Sequence, residues 1–253
     1  MKIKSHLVST AGMENFVPRG DGSSRLEALS DGVFSLAIAI LLLSSSVPEN
    51  FDQLWLFVVD IVPFGICMLF IYWIWRQQAT FFMRYGLLDA KTAALNMILL
   101  FFVLFYVYPL KFLMSWLIKY FAAMFSGNFE QRVGALQEMI PYFKIPQLMI
   151  IYSVGFICIC LVLFLMYRHA YHHREALGLS AVEEYETQYS INDKLYQGLV
   201  GVASVLLALA SMAFQNAIGS ILAGVIYNLI WVISIFQFKK REKVLAKLLP
   251  QSE

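Results

Sequence analysis

Apolar positions in this chain gather into six long runs, at 29–46, 54–75, 92–115, 146–167, 195–214 and 217–238. Each approaches or exceeds the roughly 20 residues a helix needs to cross the hydrocarbon core of a bilayer. A backbone in lipid must satisfy its own hydrogen bonds, so each run is predicted to be a helix. The first run is short and is expected to reach back a turn through Glu27. The pattern predicts an all-α integral membrane protein with six transmembrane helices in one domain, 25–240. A polar stretch, 1–24, is expected to be a mobile cytoplasmic tail, and 241–253 a cytoplasmic C-terminal tail. The N-terminal stretch has no apolar core of signal-peptide length, so the first run is expected to stay in the mature protein. The connection 116–145 is the one long external segment, of mixed polarity. Ser180–Lys194, with Glu183, Glu184, Glu186 and Asp193, is expected to be a solvated cytoplasmic segment.

Composition agrees with lipid as the solvent. Of 253 residues, 60% are hydrophobic and 14% charged, against about 25% charged in a typical soluble domain. Mean hydropathy is +0.67. These values exclude a disordered chain, a nucleic-acid binder and an ordinary soluble enzyme. Net charge, +2, says little, but its placement says more. Fifteen of the nineteen Lys and Arg lie in the tails, the second-to-third loop and the fourth-to-fifth loop. Lys111, Lys119, Arg132 and Lys144 fall on the opposite side. That bias predicts both termini in the cytoplasm, as an even number of spans requires.

Ionisable residues within the runs are few, and a charge in hydrocarbon costs at least ~2.5 kcal/mol, so each one is informative. Asp31 opens the first run beside Ser30, at the depth of Trp73 on the second and Asn96 on the third. This cluster either clamps three helices together or touches a permeating ion. Asp60 lies in the outer part of the second run. It either draws cations to the external mouth or bonds to a neighbouring helix, and Pro63 is expected to kink that helix. Beyond Asp31 the first run is apolar, with Leu36, Ala39 or Ile40, and Leu43 on one face. Such a face suits lipid, a core, or a hydrophobic gate. Gly198, Gly201, Ser204, Ala208 and Ser211 form a small-residue face for helix packing in the fifth run. Cys67, Cys158 and Cys160 read as small apolar fillers.

The run Arg25-x-x-x-Leu29-Ser30-Asp31, followed by a small residue and an apolar helix, resembles the Arg-x-x-x-Phe-Ser-Asp signature of the transmembrane protein 175 type potassium channels. Ile71-Tyr72-Trp73 in the second run, Asn96 early in the third and Tyr108-Pro109 near its end extend the likeness. The resemblance implies a single-repeat, prokaryotic-branch homotetramer in the cell (plasma) membrane, the inner membrane of a bacterium. No reentrant selectivity filter is implied. It implies potassium as the permeant ion, membrane lipid and further copies of the chain as partners, no cofactor, and no enzymatic activity. Four first helices would line the pore. Leu36, one turn beyond the signature Asp, would form the constriction, with Ala39, Ile40 and Leu43 as further lining positions. Arg25, Ser30 and Asp31, with Trp73 and Asn96, would anchor that helix. The signature Phe is Leu29 here, Ala39 stands where many relatives carry a hydroxyl, and Trp75-Arg76-Gln77 stands where relatives often place histidine after the second-run Trp.

Two other motifs carry less. Ser153-Val154-Gly155-Phe156 looks like part of a potassium filter but sits within an unbroken apolar run, whereas a filter needs exposed carbonyls on non-helical backbone. His169-x-x-His172-His173 resembles one histidine box of membrane di-iron enzymes, in a chain with four histidines in total. It reads better as a basic end to the fourth helix, with metal binding or pH sensing as further roles. Two other functions stay open: a membrane-embedded metal enzyme using His169, His172 and His173, and a secondary cation transporter using Asp31 or Asp60.

Overall fold

The computed structural model describes residues 15–20, 24–43, 47–125, 134, 136–215 and 217–248. All regular structure among them is helical. The helices are α1 (Arg25–Leu43), α2 (Phe51–Val59), α3 (Ile61–Tyr85), α4 (Ala90–Met124), α5 (Ile145–His172), α6 (Ala181–Ala213), α7 (Ala217–Val225) and α8 (Asn228–Leu248). A 3₁₀ turn, Tyr142–Lys144, leads into α5. The described residues contain six helical segments long and apolar enough to cross a membrane, with α2 and α3 together forming the second.

Most helices are longer than the apolar runs. α1 starts at Arg25 because Ser24 and Glu27 exchange hydrogen bonds at 3.1 and 3.2 Å, a capping box that satisfies two otherwise orphaned N–H groups. α6 starts at Ala181 by the same device, Ser180 with Glu183. Ser180–Lys194 is therefore not a solvated connection but the first half of a long helix, in which Glu183, Glu186, Thr187 and Lys194 are buried. α4 continues to Met124, so 116–124 belongs to a helix and not to the external connection. Lys119 therefore joins Lys111 inside α4. The second span breaks at Asp60, three residues before Pro63, whose missing N–H is harmless in the first turn of α3.

α1 packs on α3 and α4, α4 also on α5, and α5 pairs along its length with α6. α7 and α8 lean on α6. One continuous core runs through this arrangement. Phe34, Ala37 and Leu41 of α1 meet Cys67, Ile71 and Ile74 of α3 and Leu99 and Val103 of α4. The small face of α6 is a packing face: Gly201 lies against Ile157, and Ser204 donates to the Ala223 carbonyl at 2.7 Å.

Residues 15–20, expected to be mobile, are docked. Phe16 packs edge-on to Tyr85 and beneath the Arg84 guanidinium, 4.4 Å away. Arg19 holds Glu183 through both terminal nitrogens, at 2.8 and 2.9 Å, and donates from Nε to the Leu177 carbonyl. Gly86 ends α3 at φ +58°, and a Cβ there would meet the Arg19 carbonyl oxygen at 2.6 Å. Only glycine fits both the left-handed turn and the strap above it. Residues 1–14 and 21–23 of the expected tail lie outside the described residues.

The filter-like Ser153–Phe156 segment is α5 helix. Gly155 seats the Tyr106 ring, whose hydroxyl donates to the Tyr152 carbonyl at 2.9 Å. A Cβ on residue 155 would collide with that buried ring. Gly155→Ala is expected to cost about 1–3 kcal/mol, the usual range for overpacking. Thermal unfolding of the detergent-purified protein checks it, and an unchanged midpoint would contradict this packing.

Candidate functional site

The site is α1 and what surrounds its first turns. α1 has two unlike faces. Phe34 is 3% exposed, and Ala37 and Leu41 are fully buried in the subunit's core. Arg25, Leu29, Gly32, Leu36, Ala39 and Leu43, spaced by three and four, are exposed along the opposite stripe. Leu36 is 51% and Leu43 78% exposed. Ile40, grouped with them from sequence, is half-buried and packs against the core. An apolar stripe one helix long, interleaved with Gly32 and Ala39, is left without cover from its own subunit.

A one-directional chain of hydrogen bonds sets how α1 is rotated. Gln78 Nε2 donates to Asn96 Oδ1 at 2.9 Å. Asn96 Nδ2 donates to Ser30 Oγ at 2.8 Å, and Ser30 Oγ donates to the Leu26 carbonyl at 2.8 Å. Ser30, Gln78 and Asn96 are buried, so α3, α4 and α1 are tied by polar groups that have no water to turn to. Gln78 was not singled out from sequence. It follows Arg76 and Gln77 just past the second apolar run, so nothing in the local sequence marks it for burial.

Asp31 bonds to Trp75, whose Nε1 donates to Oδ1 at 2.7 Å. Trp73, the expected partner, is turned elsewhere: it stacks on Phe70 and lies 5.2 Å from the Lys194 ammonium. Two residues along a helix is a 200° rotation, which decides between the two indoles. Trp75→Phe removes the Asp31 bond while keeping an aromatic ring. It is expected to lower stability by ~0.5–1.5 kcal/mol, read as a small drop in the melting midpoint. Arg25 is exposed at the end of the stripe and is not part of this network.

The far end of α1 has no basic residue of its own. Lys111 of α4 supplies one, its Nζ donating to the Leu41 carbonyl at 2.8 Å, where a cation satisfies an orphan acceptor and suits the helix dipole. Asp60 is half-buried at the α2–α3 break, and Lys111 lies within its field. Its charge is thus in part offset within the subunit.

The His173 ring packs edge-on against both His169, 4.6 Å between centroids, and His172, 5.5 Å away. His169 is buried and bonds through Nε2 to Asp89 at 2.9 Å. Partial burial pushes the Asp89 carboxyl up, but hydrogen bonds from Thr92 and His169 outweigh it and hold it below the usual range. His172 is exposed and His173 caps α5. Among the described residues no three His, Cys, Asp or Glu side chains come together as a metal would require. Cys67, Cys158 and Cys160 are free thiols.

Comparisons with known proteins point to one family. The model of the endosomal/lysosomal potassium channel TMEM175 matches residues 25–106, from the first residue of α1 into α4. A protein of Marivirga tractuosa described as a potassium channel is 40% identical over 215 residues, which is 85% of this chain and 86% of that one. The crystal structure of a variant of the potassium channel MtTMEM175, bound to a nanobody–MBP fusion, superposes with a TM-score of 0.79 at 38% identity. That match covers 90% of this chain and 97% of the other. A Chamaesiphon minutus homolog of the lysosomal potassium-selective channel TMEM175 shares the fold at 20% identity and a TM-score of 0.52, over 84% and 96% of the two chains.

Proposed function

The chain belongs to the TMEM175 family and is a multi-pass membrane protein, and from that premise we propose that it is a potassium-permeable channel, assembled as a homotetramer around four copies of α1. The observation that carries this reading is the bare stripe of α1. A helix whose one face closes its subunit's core and whose other face is apolar, small-residue-rich and uncovered is suited to surround an axis shared with other copies.

On this reading Leu36 forms the narrowest ring and Leu43 a second, with Ala39 between them. A cation entering such a ring must shed or compress its hydration shell, and a dry apolar constriction resists that. Potassium holds its water less tightly than sodium, so the toll falls harder on sodium. Ala39 presents a methyl group and no hydroxyl, which leaves discrimination to hydration cost alone. The Gln78–Asn96–Ser30 chain and the Asp31–Trp75 bond hold each α1 at the rotation that points Leu36 inward. The basic residues of the loops and tails orient both termini to the cytoplasm, in the inner membrane of a bacterium. Purified protein in liposomes tests the function. A potassium gradient should drive a passive, voltage-following flux that exceeds the sodium flux under the same conditions. Saturable flux that depends on a second substrate would indicate a transporter instead.

A further inference from the structure

Between α1 and α3 runs a cleft of about 530 Å³, and we propose that it binds a hydrophobic ammonium, an apolar chain bearing a cationic nitrogen. Phe34 and Ile71, both buried, form its floor, and Met68 and Leu69, both exposed, stand on its rim. Asp31 is the one charged side chain that lines it. Its Oδ1 accepts from Trp75 Nε1 at 2.7 Å, and among the described residues no Lys, Arg or His side chain pairs with it. One neutral N–H leaves most of a carboxylate's charge uncompensated, and an ionisable group on a membrane-spanning helix calls for a partner of opposite sign. Tyr72 and Trp75 line the cleft beside Asp31, their rings 5.6 Å apart and inclined by 35°. Aromatic faces next to a carboxylate are a suitable seat for an alkylated ammonium.

Size and polarity narrow the ligand. The volume falls within the roughly 300–1,000 Å³ of small-molecule sites. Gly65 and Trp75 both line the cleft, so it extends about 15 Å along α3 at 1.5 Å per residue. Gly65 supplies room at the end away from Asp31, since a Cβ there would meet nothing within 4 Å. The head of the ligand therefore belongs at Asp31 and its chain towards Gly65. An anion would meet the carboxylate as a like charge, and a hydrated inorganic cation gains nothing from the apolar floor. Ser35 and Ile38 of α1 also line the cleft, next to Leu36 and Ala39 of the bare stripe. An occupant would thus lie against the flank of α1, at the bond between Asp31 and Trp75 that fixes its rotation.

The test is thermal unfolding of the full-length protein in a maltoside detergent, which carries no charge of its own, with octylammonium as the probe. Octanol and octanoate provide the neutral and anionic chains of the same length. A ligand that binds only the folded protein raises the midpoint once its concentration passes its Kd. Octylammonium should give such a rise, and octanol and octanoate should not. Asp31→Asn keeps an oxygen for Trp75 but removes the charge. It should move the onset of the rise to about tenfold higher concentration, as for one lost charge-assisted contact. Gly65→Leu fills the cleft from a position with open space and should abolish the rise in a protein that still folds. No rise with octylammonium, as a second copy of the chain seated in the cleft would give, overturns the proposal. So does an equal rise with octanol, or a response unchanged in both variants. Binding is read without ion flux, so its outcome is independent of whether the protein conducts potassium.

Discussion

Leu36→Ala should raise potassium conductance and bring the potassium-to-sodium permeability ratio down toward one. The side chain is half exposed and stands outside its subunit's core, so the effect comes from the axis and not from unfolding. Shortening four leucines to alanine widens the ring and lets water follow the ion. If that removes about 1 kcal/mol from the barrier, the rate rises roughly fivefold. Sodium, with the costlier shell, gains more than potassium, which is why selectivity falls as conductance rises. Single-channel recording with bi-ionic gradients reads both quantities. The same substitution at Ile40 is expected to act through stability, since Ile40 packs inward. Unchanged currents in Leu36→Ala would remove Leu36 from the constriction.

Asn96→Ala is expected to produce the largest loss of stability. It strips Gln78 Nε2 of its acceptor and Ser30 Oγ of its donor at once, both in a buried site. A buried polar group left unsatisfied costs about 1–3 kcal/mol, so two together cost roughly 2–6 kcal/mol. The result should be a large fall in melting midpoint and in yield of folded protein, well beyond that of Trp75→Phe. Ser30→Ala, which removes one end of the chain of bonds and leaves Asn96 bonded to Gln78, should fall between them. A midpoint within a degree of wild type for Asn96→Ala would show that the three-helix tie does not hold α1.

Much of this architecture was legible in the sequence because lipid writes its demands in long apolar runs. That Leu36 and Leu43 share one face of α1 was legible in their helical spacing, but that the face is left uncovered was not, since an apolar face suits a core or lipid equally well. Helix ends were misjudged where the chain leaves the hydrocarbon, since beyond it helices are marked by caps and not by hydropathy. Ser24-x-x-Glu27 and Ser180-x-x-Glu183 carried that mark in plain view. Glu183 and Glu186 looked solvated because their partners, Arg19 and Arg241, lie 164 and 55 residues away. Pairing at such separation leaves no local trace. For the same reason the reach of Lys111 to the end of α1 and the link from Gln78 to Asn96 were invisible, and the choice of Trp75 over Trp73 turned on a helix rotation that apolar surroundings do not specify.

The central claim is that the uncovered stripe of α1 faces a cation path. Leu36→Cys, reconstituted in liposomes and treated with a cationic thiol reagent during potassium flux, tests it most directly, with the wild-type protein and its three native cysteines as the reference. The account predicts that flux through Leu36→Cys is blocked, while wild type and Leu206→Cys, an exposed position on α6, are not. Free flux through modified Leu36→Cys, or equal block at Leu206→Cys, would contradict it.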